Sequence, residues 1–131
     1  MKLLSPPQQC KDSFPILTHS KEIYKTWHGY LNRLPRTTKH TLGVRIDNLF
    51  IDLIELALTC KFAKREERLT KLWQMSAKID YLKYFVTILW EMRSIDETKY
   101  SSLANQLVFN GQMTGGLIAS ITKKKNEESG N

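Results

Sequence analysis

Cysteine, proline and long apolar runs are scarce in this chain of 131 residues. Its two cysteines, Cys10 and Cys60, are far apart in sequence, with no Cys-x-x-Cys spacing. That excludes a zinc ribbon and a disulfide framework and fits a reduced, cytoplasmic setting. Three of the four prolines, Pro6, Pro7 and Pro15, fall near the beginning, which leaves Pro35 as the one internal breaker. No run approaches the ~18 apolar residues of a membrane span, and Met1-Lys2-Leu3-Leu4 is cut short by Pro6-Pro7 before it could form a signal peptide. Catalytic signatures are missing too. The three histidines, His19, His28 and His40, stand in no His-Glu-x-x-His or Glu-x-x-His arrangement. There is neither a glycine-rich phosphate loop nor a Gly-x-Ser-x-Gly elbow. The expectation is a protein without catalytic chemistry, metal or cofactor.

Acidic residues are also short: 13 Asp and Glu face 20 Lys and Arg, a formal net charge of +7. Such a surface favours polyanionic partners: nucleic acid, an acidic protein or an anionic membrane surface. With 41% hydrophobic residues the chain has enough apolar side chains for one packed domain.

Helical periodicity dominates, and no segment alternates as a strand does. Residues 1–17 read as an irregular lead-in, 18–122 as the folded domain and 123–131 as a polar, lysine-rich tail. The first helix is expected from about Thr18 to Leu34, with Ile23, Trp27, Tyr30, Leu31 and Leu34 on one face. The second is expected from Thr38 to Phe62, with Leu42, Ile46, Leu49, Phe50, Leu53, Leu56, Ala57 and Cys60 in one stripe. The third runs from Arg65 to Arg93 through Leu69, Leu72, Trp73, Ile79, Leu82, Val86 and Leu89. The fourth starts at a capping box, Ser94 with Glu97, and carries Tyr100, Leu103, Leu107, Thr114, Ile118 and Ile121. Short connections between long helices make sequential neighbours antiparallel, so the expected fold is all-α: an up-down-up-down antiparallel four-helix bundle.

Two of these helices are too apolar for a lone bundle. Ile51, Ile54, Leu58 and Phe62 form a second stripe on helix two. Tyr81, Tyr84, Phe85, Ile88, Trp90 and Met92 spread beyond one face of helix three. A surface helix needs a polar back, so a second copy of the chain is the expected cover. Gly111 and Gly115 share a face of a continuous fourth helix and would admit a close neighbour, as would Gly43 in helix two. Asp47, Asp52 and Glu55 read as a polar seam rather than a carboxylate pair, with Arg45 on the face of Asp52.

The basic residues cluster. Lys21, Lys25 and Arg33 lie on helix one; Arg36, Lys39, His40 and Arg45 follow Pro35 around the start of helix two. Cations there oppose the helix dipole, so helix stability does not explain them. Lys64, Arg65, Arg68 and Lys71 surround the next turn, and Lys78 lies two turns beyond Lys71. Taken singly each is a solvated charge. Together they suit a phosphate backbone read without sequence preference.

From Pro15 to Ile121 the chain resembles the accessory variability determinant (Avd) proteins of diversity-generating retroelements, within the small four-helix proteins that include ribosomal-RNA intervening-sequence proteins. The resemblance rests on Leu34-Pro35-Arg36 with Thr41-Leu42-Gly43-Val44-Arg45-Ile46. Tyr24-Lys25-x-Trp27, Leu82-Lys83 and Gly111-x-Met113-x-Gly115-Gly116 add to it. The pattern is common to both branches. Leu117 stands where the group often has tryptophan. The resemblance implies a barrel-like homo-oligomer, a pentamer, that does no chemistry. It would bind template RNA or cDNA and the element's reverse transcriptase, in a bacterium or the bacterial host of a phage, and so support mutagenic reverse transcription and retrohoming. Arg36 and Arg45 carry over by motif; Lys39 and His40 fill a stretch that is often basic. In the intervening-sequence branch the same fold serves a different cellular role.

Overall fold

A computed structural model describes residues 14–129. Five helices account for most of them, with no strand: α1 (Pro15–Leu31), α2 (Arg36–His40), α3 (Leu42–Phe62), α4 (Arg65–Glu91) and α5 (Glu97–Ser129). Helix α1 packs on α3 and α5, α4 also packs on α3 and α5, and the single turn α2 packs on α3.

Each long helix buries a narrow stripe spaced three and four residues apart, the period that keeps one face of a helix on its neighbours. On α1 it is Ile16, Ser20, Ile23 and Trp27; on α4 it is Leu72, Met75, Ile79, Leu82, Val86 and Leu89. Ile46, Leu49, Phe50, Leu53, Ala57 and Cys60 supply the α3 stripe. Leu103, Leu107, Asn110, Thr114 and Ile118 supply that of α5. Full burial of each large aliphatic side chain contributes about 1.5–3 kcal/mol. Trp27 stacks on Phe50 at 5.9 Å inside this core, and its indole N–H donates to Asp47 Oδ1 at 3.1 Å. Burial, then the Asp47 carboxylate, push the Tyr24 phenol above its usual range. Asp47 therefore serves two aromatic side chains of α1.

The structure differs from the sequence expectations at several ends. Helix α1 starts at Pro15, not Thr18, and Ile16 is fully in the core. Proline needs no N–H partner in a first turn, so Pro15, placed by sequence in the irregular lead-in, instead starts the helix. Helix α5 is capped by Asp96, whose Oδ1 accepts the Lys99 N–H at 2.8 Å; Ser94 closes α4 instead, its N–H donating to the Leu89 carbonyl. The helix also continues through the expected tail to Ser129, tied to α4 by Lys125–Glu66 at 3.1 Å and Arg65–Glu128 at 2.6 Å. Trp73, expected in the core, is 59% exposed, while Met75 is buried in that stripe.

The second expected helix is divided. Thr41, at φ −119° and ψ −91°, breaks it, and its hydroxyl donates to the Thr37 carbonyl at 2.8 Å. The α2 turn folds so closely on the first turn of α3 that a Cβ on Gly43 would lie 3.2 Å from both the Thr38 carbonyl oxygen and Leu34 Cδ1. Gly43 thus has the close neighbour expected of it. Gly111 meets only ordinary contacts at 3.7 Å, and Gly115 faces open space, so within one chain the α5 glycines admit no close backbone.

Candidate nucleic-acid interface

The connections fix where the basic residues lie. Helices α3 and α4 are joined by two residues, 63–64, so the chain reverses there. The α1–α3 connection and the α4–α5 connection therefore share the opposite end. One contact marks that end: Lys99 Nζ, from the first turn of α5, sits 5.5 Å over the Tyr30 ring at the close of α1. Arg33, Arg36, Lys39, His40 and Arg45 are brought together here. Among the described residues none of these side chains has an acidic partner within ion-pair distance. Arg33, Arg36, His40 and Arg45 are exposed and Lys39 half-buried.

The break at Thr41 changes part of the electrostatic reading. Lys39 and His40 close α2 rather than open a long helix, so they do not oppose its dipole. Arg36 opens α2 and Arg45 lies in the first turn of α3, both on the unfavourable side. Arg45 does not pair with Asp52; that carboxylate lies 3.4 Å from Lys78 Nζ on α4.

Three of the basic residues at and beyond the α3–α4 turn are engaged. Arg68 donates from Nε to the Cys60 carbonyl and from Nη2 to the Lys61 carbonyl, both at 3.0 Å, and its guanidinium lies 5.5 Å over Phe14. It binds two carbonyls at the close of α3, that of Lys61 and that of Cys60, which also accepts the Ala63 N–H. Arg65 is held by Glu128 and Lys78 by Asp52. Lys64 and Lys71 remain as exposed and half-buried cations beside them. On α1, Lys25 makes an exposed pair with Glu22 at 3.5 Å, and Lys21 is half-buried with no acid at ion-pair distance among the described residues. The two clusters expected from sequence are therefore unequal. One is largely structural, and the other is free to meet a ligand.

Two residues that sequence reasoning left out belong to the free end. Arg93 occupies the left-handed region at φ 61°, where the Arg93 and Ser94 N–H groups donate to the Trp90 and Leu89 carbonyls. This closing motif favours glycine, so an arginine there is unusual. Lys99 is the other. The signal was legible: long helices joined by short connections alternate in direction, which puts the α4–α5 connection, with Arg93, at the end that holds Arg33.

A groove of about 540 Å³ lies between α3 and α4, lined by Asp52, Glu55, Thr59, Gln74, Lys78 and Tyr81 among others. Its two carboxylates, Asp52 and Glu55, outnumber its one cation, Lys78, and it has no nucleophile paired with a base. Among the described residues, no group of three or more His, Cys, Asp or Glu could hold a metal ion. No helix there is long and apolar enough to cross a membrane. Cys60 is buried, and burial pushes its thiol pKa up, away from reactivity. Cys10 lies outside the described residues. No protein-family model, curated protein or solved structure matches this chain.

Proposed function

We propose that this chain is a non-enzymatic nucleic-acid-binding accessory protein of the retroelement type. Its helices form an up-down-up-down four-helix bundle that assembles into a barrel-like homo-oligomer, a pentamer in the group it resembles. It binds template RNA or cDNA and a reverse transcriptase, and so supports mutagenic reverse transcription and retrohoming. The observation that carries the reading is the unpaired basic end formed by Arg33, Arg36, Lys39, His40 and Arg45. Unpaired cations of this kind, four exposed and one half-buried, do little for stability and suit a phosphate backbone. The Pro35–Ile46 motif supports the retroelement assignment. Exposed apolar side chains support assembly: Leu58 and Phe62 on α3, Trp73, Tyr81 and Tyr84 on α4. They exceed what a monomer ordinarily leaves in water.

The test is a salt titration of binding to a labelled oligonucleotide. Affinity should fall steeply with log salt, and Arg36→Ala should flatten the slope by about 0.7–0.9, the contribution of one phosphate contact. Binding that ignores salt, or no binding at all, sinks the nucleic-acid reading. A reverse transcriptase gene with a template and variable repeat beside this gene separates the retroelement role from that of the intervening-sequence branch.

A further inference from the structure

Trp90 lies in the last turn of α4 and is 40% exposed. One side of its indole stacks on Tyr100 of α5, with ring centroids 4.7 Å apart and planes 16° apart. Tyr100 is itself held. Its hydroxyl lies 3.4 Å from Thr87 Oγ1, whose own proton goes to the Lys83 carbonyl at 2.8 Å. One face of the indole is covered by Tyr100 while two fifths of the residue stays in water. An exposed indole fixed in this way is a pre-ordered surface for another flat group.

The setting says which flat group. Arg93 follows three residues later, in the left-handed conformation that closes α4, and Lys99 opens α5 on the Tyr30 ring. These join Arg33, Arg36 and Lys39 at the same end. The acids of this region are Glu91, Asp96 and Glu97, and the Asp96 carboxylate is occupied by the Lys99 N–H. With Arg33, Arg36, Lys39, Arg93 and Lys99 against these three acids, the end as a whole is basic, and Trp90 lies at that end.

We infer that this end of the molecule selects single-stranded nucleic acid over duplex, with an unpaired base stacked on Trp90 and phosphates on Arg93, Arg36 and Arg33. The inference rests on the nucleic-acid reading above and names the class of ligand within it. Cations attract both forms through the backbone. Only a single strand offers a base whose face is not already stacked, and an exposed indole accepts any base because every base has a π-face. Trp27 is fully buried and Trp73 lies on α4 nearly five turns from Trp90, so neither competes for this role.

The experiment compares a 15-nucleotide oligo(dT) and oligo(U) with a duplex of equal length at one salt concentration, using the full chain. In a Trp73→Phe background Trp90 is the exposed indole, and base stacking quenches its emission. The expected result is quenching by single strands and not by duplex. Trp90→Ala should weaken single-strand binding about tenfold, the size of one lost base stack, and leave duplex binding unchanged. Trp90→Phe should retain most of the affinity. Because Trp90→Ala also loses the Tyr100 stack, the quenching measurement, made with Trp90 intact, tests the inference independently of that variant's stability. Equal affinity for both forms without quenching overturns it while leaving salt-steep binding, and so the broader function, in place. Absence of all nucleic-acid binding removes both. If Trp90→Ala instead dissociates an oligomer and leaves single-strand affinity alone, the ring belongs to an interface between copies and the inference fails.

Discussion

Gly43 shows how narrow the tolerance is at single positions. A methyl group there meets a backbone carbonyl, which cannot rotate away, and the Leu34 side chain. Gly43→Ala should destabilise the protein by about 1–3 kcal/mol despite alanine's better helix propensity, read as a lower urea midpoint. His19 makes a different kind of demand. Its Nδ1 lies 3.1 Å from Asn110 Nδ2, which also donates to Ser20 Oγ at 3.1 Å, and its ring meets Phe109 edge-on. Nδ1 must therefore accept, which requires the neutral ring. Burial lowers the His19 pKa from 6.5, with the Glu22 carboxylate opposing only in part. The folded pKa is below the unfolded one, so the unfolded chain binds more protons on acidification. The His19 contribution is complete above about pH 6.5 and is lost as pH falls toward the folded pKa. Urea melts from pH 8 to 5 should show this loss, and His19→Gln should remove that part of it. A parallel pH dependence in both proteins would contradict the assignment.

At the scale of elements, the same residue type does opposite work at the two ends. Arg68 closes α3, donating to the Cys60 and Lys61 carbonyls of its last turn. Arg36 opens α2 with nothing to hold. Arg68→Ala should lower stability by about 1–3 kcal/mol and leave oligonucleotide affinity nearly unchanged at temperatures where it is folded. Arg36→Ala should do the reverse, with an unchanged melting temperature and weaker binding. Equal effects in the two variants would mean the ends are not divided as described. Sequence could not separate them. Both arginines sit in lysine- and arginine-rich stretches beside a helix boundary, and only the path of the chain decides which carbonyls come within reach. The division of the second helix was hidden for a related reason. Thr41 is compatible with continuous helix, and the break depends on how α2 packs.

For the whole molecule, the question is what covers the outer faces of α3 and α4. Leu58 is 49% exposed and Tyr84 69%. Removing such side chains from water is worth about 25 cal/mol per Å² of apolar surface, a strong drive for self-association. Leu58→Asp should leave the helical spectrum intact and shift the mass measured by light scattering to the monomer. A wild-type chain that is monomeric at high concentration would end the oligomer proposal. Assembly would also repeat the basic end once per copy, so dissociation should weaken binding to long oligonucleotides more than to short ones.

The helical class, most of each buried stripe and the excess of positive charge are legible in the chain alone, because they follow from period and composition. Gly43 and the Pro35 turn are marked there too. The packing of the helices decided which cations are free and that Asp47 serves Trp27. It alone decided that Trp73 faces water while Trp90 stacks on Tyr100 beside Arg93. Each of those facts depends on the distance between segments far apart in the chain, and periodicity carries no record of that distance. The basic segment after Pro35 looked unusual from its own residues. Its role as one side of a larger end, shared with the α4–α5 connection, exists only once the helices are packed.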